Sequence, residues 1–397
     1  MSALKLLYIY IGGSNKVTSV QKKVRAQLQG LNEAGIKSEG VFYNEKNHKE
    51  EMIDGQIHLV GLPEYKTLRR FFQSYHKLQF HLAYIHKDLE KRAKGYDLIF
   101  LRHGGNGPAY ERLLDLIAEK TFLYVPSNRI RETYCERYFT KDHSLASAFF
   151  GWWEYFNFWR REKKLMKQYF SKLRGIVTFT PEFGRILQKD SKEPLHLIYN
   201  RDGVSTDEVK HRSCVLREGE EIQLIFLKGS ATEQKWAGLD RLIRSIEAFP
   251  ALRFRLYITG NADKQKERYE RPFVTLTGRL SDENLEKLID EVDLGVSNLE
   301  NYLIHFEETT NLKSRDYYSR GLPFIQSNTM PDIEGTAGKR FYHYIPNDDS
   351  IIDMKAVHDF AMEMRNDPEH PRLMHGFALE KLDWRLTTAE LAKEILA

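Results

Sequence analysis

Short apolar runs alternate with stretches of helical period along most of this chain. The opening run LKLLYIYIGG reads as a central parallel strand that turns at Gly12 and Gly13. Val20, Val24, Leu28 and Leu31 then share one face, which predicts a helix closed by Gly35, with a second strand at Gly40 to Tyr43. A helical pattern from Tyr65 to Arg92 leads into the strand YDLIFLRHGG, which ends at Arg102 and His103. A helix from Tyr110 to Lys120, the strand TFLYVP, the strand GIVTFT, a helix opened by Pro181 and Glu182, and the strand LHLIYN turning at Asn200 complete this half. Strand, turn, helix, strand is the unit of a Rossmann-like domain, predicted here for residues 1–200.

The polar stretch from Asp202 to Glu221 has no apolar period and reads as a linker, 201–221. The same alternation then resumes, predicting a second Rossmann-like domain at 222–375. It begins with EIQLIFLKGS and KWAGLDRLIRSIEAF, continues through FRLYITG, VTLTGRL, SDENLEKLIDEVD and DLGVSNL, and reaches EETTNLKSRDYYSRGLPFI at Glu307 to Ile325. In that last stretch Asn311 to Arg320 predicts a short helix, with Thr309 and Thr310 as caps and Gly321 and Pro323 as the stop. A buried strand PFI follows. A loop with Asp332, Glu334, Gly335 and Gly338, a last strand in FYHYIPNDDS, and helical stretches at Ile352 to Arg365 and Pro371 to Leu396 finish the chain. The fold class is therefore α/β.

In open α/β sheets, ligands gather at the carboxyl ends of the strands. The free N–H groups at the start of the 311–320 helix suit phosphate oxygens, and two acids bracket them: Glu308 before the helix and Asp316 within it. An acid, seven residues, a second acid and then Gly-x-Pro resembles the E-x7-E segment of retaining glycosyltransferases of the GT-B fold. The resemblance is closest to family 4, whose bacterial members read LKSREYLARGLPFI where this chain has LKSRDYYSRGLPFI. It is strongest from Gln223 to Ile325.

That resemblance implies two Rossmann-like domains facing each other across a cleft, with a final helix, 376–397, crossing back to the first. It implies transfer of a sugar from a nucleotide-sugar to a hydroxyl acceptor, a glycan or lipid-linked glycan. Glu308 would contact the donor sugar and Asp316 the ribose, where the family usually has Glu. Lys235, in the second glycine turn, would face the donor diphosphate and offset the charge that builds on it. Gly13, Gly229, Ser230, Gly278, Arg279, Leu280, Thr309, Thr310, Asn311 and Leu312 would complete the donor side. The family's diphosphate arginine is replaced by Ser230, and its donor-side histidine has no clear counterpart. Arg102, His103 and Asn128, with Ser127 and Arg129, are acceptor-side candidates at strand ends. The rival readings are a non-catalytic GT-B partner of a glycosyltransferase, and a GT-B epimerase or phosphorylase.

Composition narrows the picture little further. The 397 residues are 41% hydrophobic and 29% charged, as in globular proteins, and a net charge of +4 calls for no nucleic acid. Cys135 and Cys214 lie far apart without zinc spacing. No Asp-x-Asp stands at a strand end, so no metal is expected, nor any cofactor beyond the nucleotide-sugar substrate. No run has the length of a signal peptide or membrane span, so the cytoplasm is the expected compartment. The stretch Phe149 to Arg174 gathers Phe149, Phe150, Trp152, Trp153, Phe156, Phe158 and Trp159 ahead of a basic run. It is read as a long helix whose aromatic side packs into its domain. Peripheral contact with an anionic membrane is the alternative.

Overall fold

The computed structural model describes residues 4–11, 19–44, 50–66, 73–138, 145–206, 209, 211–212, 219–228, 234–260 and 266–397. The chain forms two compact units, Met1–Arg201 with Trp384–Ala397, and Asp202–Asp383.

Unit 1 runs β1 (Lys5–Ile11), α1 (Ser19–Glu33), β2 (Lys37–Asn44), β3 (Glu51–Ile53), β4 (Ile57–Gly61), α2 (Gln73–Arg92), β5 (Leu98–Arg102), α3 (Pro108–Ile117), β6 (Thr121–Val125), α4 (Arg129–Tyr138), α5 (Leu145–Tyr169), β7 (Gly175–Thr178), α6 (Pro181–Asp190) and β8 (Leu197–Tyr199). Among the described residues these strands make one sheet in the order β3-β4-β2-β1-β5-β6-β7-β8. All pairs are parallel except β3–β4. The central strands are buried on both faces, which is why LLYI and LIFL read as unbroken apolar runs. Two elements differ from expectation. The antiparallel hairpin β3–β4 turns at Asp54 and Gly55, both with positive φ. Helix α4 forms in a segment too polar to show an apolar face. Tyr65 and Lys66 lie outside any helix, and α2 ends at Arg92 as read.

Unit 2 runs β9 (Ile222–Lys228), α7 (Leu239–Ala248), β10 (Phe254–Gly260), α8 (Lys266–Tyr269), β11 (Val274–Gly278), α9 (Asp282–Glu291), β12 (Leu294–Val296), α10 (Leu312–Arg320), β13 (Phe324–Gln326), β14 (Tyr342–Tyr344), α11 (Met354–Arg365) and α12 (His370–Phe377). Its sheet has the order β11-β10-β9-β12-β13-β14, with every pair parallel. The expected 371–396 helix is broken: α12 passes into a π turn at Ala378–Leu382, and α13 (Trp384–Leu396) follows Asp383. Leu391, Ala392 and Ile395 of α13 join Val24, Leu28 and Leu31 of α1 in the core of unit 1.

A buried ion pair ties α11 to the sheet of unit 2. Arg365 donates to both carboxylate oxygens of Asp293 at 2.7 Å, and Asp293 also accepts from the Gln223 backbone N–H. The fit of α10 is closer still. The Tyr317 ring lies directly over Gly295, where an added Cβ would come within 2.7 Å of it. Its hydroxyl donates to the Val296 carbonyl at 3.0 Å. Gly295→Ala should therefore destabilise the protein by about 1–3 kcal/mol, the range for overpacking a filled core. Urea unfolding measures this, and an unchanged midpoint would mean that Tyr317 is not seated as described.

Candidate functional site

The site is built from the first turn of α10. Asn311, not Thr309 or Thr310, is the N-cap: its side-chain oxygen accepts from the Ser314 backbone N–H at 2.9 Å. Its amide donates to the Ser297 hydroxyl at 3.0 Å, just past β12. The Ser297 and Ser314 hydroxyls are 2.9 Å apart, and Ser314 donates to the side-chain oxygen of Gln326 on β13 at 2.8 Å. Ser297, Ser314 and Gln326 are fully buried. This chain of hydrogen bonds stitches the start of α10 to the carboxyl ends of two strands. Sequence reading missed it, because isolated serines carry no spacing signal. Thr309 instead accepts from the Asn311 N–H, and the Thr310 hydroxyl accepts from the Asp202 N–H, both at 3.3 Å. The far end of α10 stops as expected at Gly321 (φ 69°), where a Cβ would meet the Pro371 backbone at 2.6 Å.

Glu308 is held by its backbone. It bridges Thr329 in a short parallel pairing, with Thr309 N–H donating to Thr329 O and Thr329 N–H to Glu307 O, both at 2.9 Å. Its side chain is half-buried, whereas Glu307 is exposed. Asp316 accepts from Arg320 at 3.0 Å, one turn along the helix, and Arg320 also pairs with Glu286. An ion pair at this spacing is worth a few tenths of a kcal/mol on an exposed helix surface, and it holds the carboxylate in one direction. Leu312 is the first residue of α10 and is half-buried.

Lys235 opens a 3₁₀ turn, Lys235–Ala237, that follows β9. That turn is stapled to the segment after β12 by Glu300 N–H to Trp236 O at 3.0 Å and Leu299 N–H to Ala237 O at 3.2 Å. Gly278 ends β11 with φ 67°, Arg279 is exposed and Leu280 half-buried. Lys235, Gly278, Arg279, Leu280, Glu308 and the start of α10 thus all follow the carboxyl ends of strands of one parallel sheet. Gly13, Gly229 and Ser230 lie outside the described residues.

In unit 1 the acceptor-side candidates are engaged with the protein itself. His103 is buried, one ring nitrogen 2.5 Å from Glu162 and the other 3.1 Å from the Tyr110 hydroxyl. Burial lowers its pKa, although the Glu162 carboxylate opposes that. Burial likewise works to raise the Glu162 pKa, but Arg129, His103 and Asn106 together hold it down to about 2. Asn128 accepts from the Arg131 N–H at 3.3 Å at the start of α4, and Ser127 donates to Glu132 at 2.8 Å. Arg102 lies against the rings of Tyr124 and Tyr10, at 5.2 and 5.9 Å. Glu162 and Asn106 are members of this cluster that the sequence did not single out.

The aromatic stretch departs from its first reading. Phe149, Trp152, Phe156 and Trp159 run down one side of α5 in successive contact, with ring centroids 6.3, 5.5 and 5.8 Å apart. They face outward, from 36% exposed at Phe156 to 60% at Phe149, and Phe150 and Trp153 are exposed beside them. On the other side of the helix Tyr155 meets Tyr134 and Phe158 lies under Arg129 of α4, and the fully buried positions begin at Glu162, Leu165 and Met166. Among the described residues no helix is long and apolar enough to cross a membrane, and no cluster of three or more His, Cys, Asp or Glu has the arrangement of a metal site.

No protein-family model matches the chain, and no curated protein matches it. Solved structures do. Sucrose-phosphate synthase from Thermosynechococcus elongatus aligns with TM-score 0.65 at 11% identity, over 98% of each chain. WaaG, a glycosyltransferase involved in lipopolysaccharide biosynthesis, aligns with TM-score 0.61 at 13% identity, over 99% of each. An alpha-glucosyltransferase in complex with UDP aligns with TM-score 0.60 at 12% identity, over 99% of this chain and all of the other. Identities this low carry the fold and nothing finer. The two parallel-sheet units of this chain have the GT-B fold of glycosyltransferases.

Proposed function

We propose that this protein is a nucleotide-sugar-dependent glycosyltransferase that acts with retention of anomeric configuration and without a metal. The observation that carries the reading is the first turn of α10, immobilised at the strand ends between Glu308 and Asp316. Its N–H groups and positive dipole end suit a nucleoside diphosphate. In the reaction the bond between anomeric carbon and diphosphate oxygen breaks, and its electron pair leaves with the diphosphate. The acceptor hydroxyl oxygen forms the new bond and gives its proton to an oxygen of the departing diphosphate. The helix N-terminus and Lys235 stabilise the leaving diphosphate, and Glu308 contacts the sugar as positive charge develops on it. Asp316 holds the ribose, since a carboxylate bound to Arg320 still has lone pairs for hydroxyl donors. Known structures of this fold with UDP bound support such a donor.

Against this stands a non-catalytic partner reading, favoured by the pairing of Asp316 with Arg320 and by serine at position 230. Incubation with UDP-, GDP- and ADP-sugars separates the two. Slow release of sugar from one of them supports the enzyme, and binding of a donor without turnover in the presence of candidate acceptors supports the partner.

The outward aromatic row gives the acceptor a setting. We propose that the amino-terminal half of α5 rests on an anionic bilayer carrying a lipid-linked glycan acceptor. Trp and Phe side chains suit the interface, and exposed Arg160 and Lys167 farther along the helix supply charge complementarity. Relatives in fold named for lipopolysaccharide glycosyl transfer are consistent with such an acceptor.

Glu308→Gln should lower turnover while leaving nucleotide affinity nearly intact, because the sugar contact strengthens only as charge develops. Asp316→Asn should chiefly raise the Michaelis constant for the donor. Loss of turnover in Glu307→Gln but not in Glu308→Gln would break the seven-residue register. Lys235→Ala should weaken nucleoside diphosphate binding by about 1–3 kcal/mol in calorimetry, the cost of losing a charge-assisted hydrogen bond. At low salt the protein should sediment with phosphatidylserine vesicles and come off at high salt, and Trp152→Ser with Trp159→Ser should weaken that binding. Sedimentation unchanged by vesicles, with self-association that the same substitutions abolish, would make the aromatic row a contact between copies of the chain.

A further inference from the structure

Lys313 is the second residue of α10, and its neighbours on the helix set it apart. Arg315 is paired with Asp332 at 2.8 Å, and Arg320 with Asp316 at 3.0 Å. The Lys313 ammonium instead lies 4.5 Å from the centroid of the Phe226 ring, near the carboxyl end of β9. No hydrogen-bond acceptor or carboxylate engages it among the described residues. Burial lowers its pKa to about 8, and burial is the sole cause. The charged groups on the surrounding elements leave that value unmoved. They are Arg315, Asp316 and Arg320 on α10, Lys228 at the end of β9, Lys235 in the turn beyond it, and Glu307 and Glu308 in the loop before α10.

A desolvated cation without a counter-ion is costly, and here it stands at a helix end that is itself partially positive. The first turn carries no acid, so an anion arriving from outside would offset both positive charges. We propose that Lys313 is the cation that receives the diphosphate of the donor, the role for which this chain has serine at position 230. This rests on the donor site read above. The proposal gives a role to a lysine that lies in the LKSR string shared with the resembling family but is assigned none by that resemblance.

Two signatures follow from the lowered pKa. Anion binding returns Lys313 toward the ordinary lysine value, so the protein takes up a proton on binding near pH 8, and affinity falls as pH rises above about 8. In the ligand-free protein the folded pKa lies below the unfolded value of about 10.4. The unfolded chain therefore binds more protons between those values, and stability rises with pH from about 8 to about 10.

The experiment is titration calorimetry with UDP, GDP and ADP and with the three parent nucleosides, in buffers of different ionisation enthalpy. Lys313→Met should lower affinity for the bound diphosphate tenfold or more, leave the parent nucleoside unchanged, abolish proton uptake, and flatten the rise in stability above pH 8. Lys313→Arg should keep the affinity without proton uptake. Wild-type affinity retained in Lys313→Met, or equal losses for diphosphate and nucleoside, would overturn this assignment while leaving the donor site standing. Failure of all three diphosphates to bind the wild-type protein would overturn both.

Discussion

The hydroxyl of Tyr317, buried beneath α10 and donating to the Val296 carbonyl, is the contact on which the donor half depends. A tyrosine of that size fits there only because position 295 has no side chain. With the ring seated, the height of the helix over β9 and β12 is fixed. The hydrogen-bonded chain of Asn311, Ser297, Ser314 and Gln326 then fixes its rotation. Each of those polar atoms is satisfied within the protein. What remains unsatisfied at the helix start are backbone N–H groups, and those are the groups a phosphate would use.

The two ends of α10 are electrostatically unlike. At its carboxyl end Arg320 is clamped between Asp316 and Glu286, and cations there oppose the negative pole of the helix. At its amino end the positive pole meets Lys313 rather than an acid. Ordinary helix design reverses that choice, so the amino end is suboptimal for stability in the absence of a ligand. Sites that bind strongly charged groups commonly hold such an imbalance, since stability given up in the free state returns as affinity.

The alternation of strands and helices was legible because strands buried on both faces leave unbroken apolar runs, as Leu6–Ile9 and Leu98–Leu101 do. The carboxyl end of α10 was legible because Gly321 and Pro323 stand together just past it. The cap was not: three candidates, Thr309, Thr310 and Asn311, stand in a row, and only tertiary contact with Ser297 decides among them. The β3–β4 hairpin carried its signal in Asp54-Gly55 and was overlooked, whereas α4 has almost none. The row Phe149, Trp152, Phe156 and Trp159 has the spacing of a core face, and spacing alone does not tell which solvent the face meets. Lys313 looks like any lysine in a first turn. What sets it apart is its contact with Phe226, on a strand far away in the sequence.

The path of the chain also sets an order of assembly. Unit 2 is a single continuous segment, Asp202–Asp383, and its two ends are already joined by the Val204–Asp383 bridge and the hydrogen bond from Thr206 to Asp383. It is an insertion with a closed neck, able to complete its contacts as soon as residue 383 has emerged. Unit 1 begins first and finishes last. Part of the apolar face of α1 stays uncovered until Leu391, Ala392 and Ile395 have been made. While unit 2 is being made, the nascent chain therefore carries an amino-terminal sheet whose strands are all present but whose helix α1 still lacks its partner α13. The last turn of α13 is then the latch that closes the oldest part of the molecule.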